Sequence, residues 1–133
     1  MRYLLDTNAV IALLNDRVGD LAQRARSCDP NDLCISSIVM HELYYGAFKS
    51  QRSERNLVVV EALRFEVLDY DRDDAREAGA VRAVLAAQGQ SIGPYDILIA
   101  GQAKARGLIL VTHNTREFGR VAGLNVEDWQ GGA

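Results

Sequence analysis

The stretch Arg2-Tyr3-Leu4-Leu5-Asp6-Thr7-Asn8 decides how the rest of the chain is read. Tyr3, Leu4 and Leu5 form an apolar run too short for a helix, which reads as a strand buried on both faces. It stops at three small polar residues, and the helical apolar run Ala9 to Leu14 follows at once. The order strand, polar turn, helix is that of a βα unit. In open α/β sheets ligands collect beside the carboxyl ends of the strands, which is where Asp6 stands. Asp6 or Thr7 equally suits the cap of the following helix. The stretch alone leaves both readings open.

Outward from it, the same alternation repeats. Helices are expected over Asn8 to Asn15, Val18 to Ser27, Ile38 to Phe48, Glu54 to Arg64, Asp74 to Gln88 and Pro94 to Arg106. Strands are expected at Leu33-Cys34-Ile35, Phe65 to Leu68, Leu108 to Val111 and, at an edge, Asn125-Val126-Glu127. Ser36 and Ser37 suit a helix cap, Pro94 a first helical position, and Gly89 and Gly107 helix ends. A short helical turn is expected over Arg116 to Arg120, and a frayed tail over Gln130 to Ala133. The acidic run Asp69 to Asp74 reads as a solvated loop and helix N-terminus. Strands alternating with helices predict an α/β fold around a parallel sheet of four to five strands.

Composition bounds the function. The 133 residues make one domain, 1–133, large enough to bury a core without metal or disulfide staples. Hydrophobic residues at 48% and charged residues at 25% fit a soluble globular chain with no membrane segment. The chain begins directly in a strand, so no signal peptide is expected. Cys28 and Cys34 lack metal-site spacing and read as reduced, which fits a cytoplasmic protein. A net charge of −3 excludes a surface that is basic all over, but local charge decides nucleic-acid contact. No glycine-rich phosphate loop is present.

Three carboxylates fit a bland protein poorly. Glu42 borders the apolar stripe Ile38, Val39, Leu43 and Ala47, where an unpaired charge is costly. It is either half-buried against an arginine or part of a site. Asp96 enters the first turn of a helix that continues Ile97-Leu98-Ile99-Ala100. That place suits an electrostatic helix start, and it also puts one polar contact at the sheet edge. Asn114 follows the fourth strand as Asp6 follows the first, either as turn chemistry or as a site residue. If Asp6, Glu42 and Asp96 converge, each pair ~4 Å apart repels by ~4 kcal/mol at an effective dielectric of 20. They then take up protons or bind a cation. All-oxygen ligands select Mg²⁺ or Mn²⁺ over zinc.

These fragments carry a resemblance. The strand ending Leu-Leu-Asp6-Thr-Asn, the Ser36-x5-Glu42-Leu-x-x-Gly46 helix, Asp96-x-x-Ile-Ala100 and Leu110-Val-Thr-His-Asn114-Thr-Arg-Glu-Phe118 together resemble the PIN-domain nucleases. The chain is most similar to the VapC toxins of bacterial toxin–antitoxin pairs, whose ending resembles Arg120-Val-Ala-Gly-Leu-Asn-Val-Glu-Asp-Trp129. The resemblance implies a three-layer fold with strand order 3-2-1-4-5 and a Mg²⁺- or Mn²⁺-dependent endoribonuclease. It implies Asp6, Glu42 and Asp96 as catalytic and metal-binding residues, with Asn114 where many members carry a fourth acid. Glu117, one turn further on, is the less favoured substitute. It also implies a VapB-type antitoxin, a toxin homodimer and, by analogy, the anticodon loop of initiator tRNA as substrate.

On that reading Asp6 and Asp96 hold the ion, and Glu42 joins them or deprotonates water. Thr7, Asn8, Thr112 and Arg116 are the expected phosphate contacts. Lys49, Arg52, Arg55 and Arg120 are further cations for RNA. His41 and His113 are not required. Tyr44, Tyr45, Phe48, Leu57 and Val58 exceed what two short helices bury, so part of them is expected to form a groove for a partner helix. A degenerate PIN domain, binding RNA or a partner without cleavage, is the alternative.

Overall fold

Alternating short apolar runs and amphipathic segments build one parallel sheet in the computed structural model, which describes residues 2–130. The strands are β1 (Tyr3–Leu5), β2 (Leu33–Ser36), β3 (Glu66–Leu68), β4 (Ile109–Val111) and β5 (Val126–Glu127). They lie in the order β3-β2-β1-β4-β5, every neighbouring pair parallel. This is the expected order 3-2-1-4-5. The helices are α1 (Thr7–Asn15), α2 (Asp20–Ser27), α3 (Ser37–Lys49), α4 (Ser53–Glu61), α5 (Arg72–Ala87), α6 (Pro94–Ala105) and α7 (Thr115–Phe118). Among the described residues no helix is long and apolar enough to cross a membrane. The tail expected beyond Gln130 lies outside the described residues.

The central strands are buried because helices cover both faces of a parallel sheet. Leu4, Leu5, Ile35 and Leu110 are sealed in a core with Val39, Leu85, Ile99 and Phe118. Register then fixes which polar turns meet. Leu5 pairs with Val111, so Asp6 and Thr112 emerge side by side at the carboxyl edge. The Asp6 backbone N–H continues that ladder to the Val111 carbonyl at 3.1 Å.

Boundaries differ from expectation where capping overrides apolar pattern. α5 begins at Arg72 rather than Asp74, because Asp71 and Asp74 form a reciprocal capping box. α4 ends at Glu61, three residues earlier than expected. α7 begins at Thr115 and ends at Phe118, with Asn114 as its cap.

One expectation is overturned. Asp74 is not solvated; it is fully buried. Arg106 grips it with Nε at 3.1 Å from Oδ1 and a terminal nitrogen at 2.9 Å from Oδ2. Gln102 Nε2 adds a bond at 3.0 Å, and Arg106 also reaches the Asp69 carbonyl at 2.6 Å. Tyr70 donates to the Leu98 carbonyl at 2.8 Å. The run Asp69 to Asp74 is therefore the clamp that fixes α6 against α5. The two helices approach so closely that a Cβ on Gly101 would sit 2.5 Å from Ala78.

Candidate active site

Asp6 caps α1 and stands at the carboxyl edge of the sheet. Its Oδ1 accepts from the Ala9 N–H at 2.8 Å and caps α1, while Oδ2 accepts from the Thr112 hydroxyl at 2.5 Å. The side chain is only 4% exposed. Burial pushes its carboxyl up from the usual aspartate range. The bonds from Thr112 and Ala9 pull it back, Glu42 raises it, and His113 lowers it; the net result is upward.

Glu42 arrives from the next strand over. β2 ends at Ser36, whose hydroxyl caps α3, and the first turns of α3 carry Glu42 back toward α1. Its Oε1 accepts from the Thr7 hydroxyl at 2.7 Å. Among the described residues, no arginine, lysine or histidine lies within 4.0 Å of it. The arginine-paired reading of Glu42 is thus not what the fold provides.

Asp96 sits in the first turn of α6 after Gly93-Pro94. The rest of α6 is buried nearly all round, as expected, through Ile97, Ile99, Ala100, Gly101, Gln102 and Ala103. Burial, then the charges of Asp6, Glu42 and Glu117, push the Asp96 carboxyl up to about 6. Asp96 feels the charges of Asp6, Glu42 and Glu117, which come from separate elements, and burial outweighs them in the shift.

Asn114 is turned to local work. It caps α7 through its side-chain oxygen, and its Nδ2 donates to Glu117 Oε2 at 2.8 Å. Its backbone N–H donates to the Thr112 hydroxyl oxygen at 3.0 Å. A hydrogen-bonded line therefore runs Asp6, Thr112, Asn114, Glu117. Glu117, the less favoured substitute, is tied to Asn114 by the Nδ2 bond. The signal was present in Asn114-Thr-Arg-Glu117, a cap residue followed at the third position by a glutamate.

The hydroxyls expected to face phosphate are committed inward. Thr112 is buried and donates to Asp6; Thr7 donates to Glu42. Asn8 and Arg116 are exposed. His113 is also exposed and lies 3.0 Å from Asp128. His41 stacks loosely on Tyr95 with ring centroids 5.4 Å apart.

The donor chemistry tests which cation fits. Asp6, Glu42, Asp96 and Glu117 offer hard carboxylate oxygens, while Cys34 is buried at the Tyr3 carbonyl and Cys28 is a free, half-buried thiol at the end of α2. Such a set suits Mg²⁺ or Mn²⁺ and not a soft metal. Among the described residues, no three His, Cys, Asp or Glu side chains are drawn together closely enough to grip an ion as they stand. The fit is therefore one of donor chemistry.

Comparison with known proteins gives the family. Residues 3–124 match the PIN domain family. The tRNA(fMet)-specific endonuclease VapC of Shigella flexneri is 48% identical over 131 residues, covering 97% of this chain and 98% of that protein. Ribonuclease VapC2 of Haemophilus influenzae is 44% identical over the same share of both chains. The crystal structure of DNA-bound VapBC from Salmonella typhimurium superposes with a TM-score of 0.92 at 46% identity, covering 97% of this chain and 98% of that one. A five-stranded parallel sheet with carboxylates at its central edge, and relatives alike over nearly their full length, place this chain in the PIN-domain family, among the VapC ribonucleases.

Proposed function

We propose that the chain acts as a single-domain toxin of a toxin–antitoxin pair, hydrolysing a phosphodiester in a single-stranded tRNA loop with Mg²⁺ or Mn²⁺. The initiator tRNA anticodon loop is the first substrate to test, by likeness to the tRNA(fMet)-specific relative. A single-stranded loop is favoured because A-form duplexes hide their base edges. What supports the reading is the placing of Asp6 at the carboxyl edge of the sheet beside Thr112, with Glu42 held by the neighbouring Thr7 and without a cationic partner, while burial and then the charges of Asp6, Glu42 and Glu117 raise Asp96 to about 6.

Asp6 and Asp96 would hold the ion, with Glu42 and Glu117 near it. When bound, the ion neutralises the cluster and supplies Lewis acidity to the phosphodiester and its attacking water. Thr112 and the Ala9 N–H fix the Asp6 carboxylate in one orientation. Glu42 has Oε1 engaged by Thr7, which leaves Oε2 to take the proton of the attacking water. Asn114 aims Glu117, so the acidic site is not short of charge where asparagine stands. This removes the main support for a non-cleaving PIN domain. Asn8 and Arg116 are placed to meet phosphate oxygens.

The partner reading rests on a mostly apolar groove of about 750 Å³ between α1, α2 and α4, lined by Leu13, Ala22, Ala25, Val58, Val59 and Phe65. An amphipathic antitoxin helix fits such a surface. A toxin homodimer is part of the same reading.

The test is cleavage of a tRNA(fMet) anticodon stem-loop with Mg²⁺, Mn²⁺ or EDTA, with Asp6→Asn and Asp96→Asn as variants. Cleavage should need the ion. Each variant should lose more than the roughly 100-fold that loss of an outer hydrogen bond around a metal site costs. Both should stay folded, because each removes a destabilising charge. Cleavage that survives EDTA and Asp6→Asn rejects the mechanism.

A further inference from the structure

We propose that the cleft between α1, α3 and α4 is a track for the RNA strand leaving the acidic site, with Arg17 and Arg55 taking a flanking phosphate. The proposal rests on the ribonuclease reading for what sits at Glu42. The cleft measures about 420 Å³, within the range that holds a nucleotide-sized ligand. Glu42 is among the residues that line it, so the cleft reaches one of the proposed site carboxylates. Gly46, one turn along α3, borders open space in the cleft: a Cβ there would meet nothing within 4 Å. Val59 supplies an apolar wall against which a sugar or base can lie.

Charge chooses the occupant. Arg2, Arg24 and Arg106 each have an acidic partner, but among the described residues Arg17 and Arg55 have none within 4.0 Å. Both are exposed and both line this cleft. The Arg17 backbone is braced, its carbonyl accepting from Arg26 at 2.7 Å. A chain of net charge −3 thus places two unneutralised guanidiniums in the cleft that Glu42 also lines. A polyanion crossing the acidic cluster is repelled there and needs cations beyond it. Arginine meets that need by bidentate phosphate contact. The neighbouring groove shares Leu14, Arg17 and Val59 with the cleft and also carries Arg26 and Arg64; what sets it apart is its larger apolar lining and the absence, among the described residues, of any acidic residue linking it to the site, which suits a protein helix.

The experiment compares the full-length protein with Arg17→Ser, Arg55→Ser and the double variant, using Arg76→Ser on α5 as charge-matched control. Anisotropy measures binding of the tRNA(fMet) anticodon stem-loop across a KCl series, and steady-state cleavage measures kcat and KM. Each cleft substitution should weaken binding roughly tenfold. Each should lower the magnitude of the log–log salt slope by about 0.7. The loss should fall on KM more than on kcat. Trimming the stem-loop on one side of the cut should erase the difference between wild type and the double variant. Unchanged affinity and salt slope in the double variant overturn the track. So does a hexaglutamate peptide that needs both arginines while RNA does not, since the cleft then serves an acidic protein segment. If the double variant loses RNA binding but the wild type never cleaves, the track stands and the ribonuclease reading falls.

Discussion

Replacing Arg106 by methionine probes the clamp that holds α6, and with it Asp96. The substitution keeps the length of the side chain and removes its charge. Asp74, whose side chain is 1% exposed, is then left with Gln102 and the Asp71 N–H as donors. Breaking a buried ion pair from one side costs roughly 3–5 kcal/mol. Arg106 keeps 29% of its side chain exposed, so the low end, about 3 kcal/mol, applies. Its contact with Asp71 at 3.4 Å adds little, because Asp71 is largely solvated. At about 2.1 cal/mol/K per residue, unfolding 133 residues carries an entropy near 0.28 kcal/mol/K, so Tm should fall by about 10 °C. The pH dependence has a definite sign. Burial pushes the Asp74 carboxyl up, but bonds from Arg106, the Asp71 N–H and Gln102, with the Arg106 charge, hold it below its usual 3.8. A lowered folded pKa gives stability above the unfolded value that is lost as pH falls through the folded one. The Tm gap between wild type and Arg106→Met should therefore be full at pH 6–7 and shrink below pH 3.8. Calorimetric scans from pH 2.5 to 7 measure both. A gap under 2 °C at neutral pH, or one independent of pH, refutes the argument. The companion Asp74→Leu/Arg106→Met should recover much of the loss, since a paired hydrophobic replacement leaves no buried charge.

Gly101→Ala forces a Cβ to 2.5 Å from Ala78 and should cost about 1–3 kcal/mol by overpacking, read as a lowered denaturation midpoint. Gly79→Ala, with nothing within 4 Å of its Cβ, should instead stabilise α5 by about 0.5–1 kcal/mol. Asp96 has its folded pKa raised from 3.8 to about 6, so its contribution is full below 3.8 and lost as pH rises through 6. Without divalent ion, Tm should thus decline between pH 5 and 7.5, and Mn²⁺ should reverse that decline; a flat profile with and without Mn²⁺ contradicts the clustered carboxylates. Thr112→Val removes the bond to Asp6 while keeping shape, and should lower Mn²⁺ affinity by roughly 10–100-fold in calorimetric titration. Trp129→Ala should cost about 3–5 kcal/mol, because the buried ring packs edge-on to Tyr3 at 4.9 Å and lies under Arg24.

Local sequence was enough to determine the elements. Tyr3 to Leu5 and Ile109 to Val111 had to be strands, being short, apolar and flanked by polar turns. Pro94 had to start a helix, and the alternation of elements made the sheet parallel. Those outcomes depend on neighbours a few residues apart. The site does not. Asp6 and Thr112 are 106 positions apart in the chain, and only the Leu5–Val111 register makes them partners. The same is true of Thr7 and Glu42, brought together by α3 returning from β2. Asp74 looked solvated because its neighbours in sequence are acidic, and its burial depends on Arg106, 32 residues later. Glu117, one turn beyond Asn114, is held by it through a local bond. A carboxylate's charge is written in the sequence, but its protonation and partners depend on what the fold packs against it. The tertiary structure alone sets that environment.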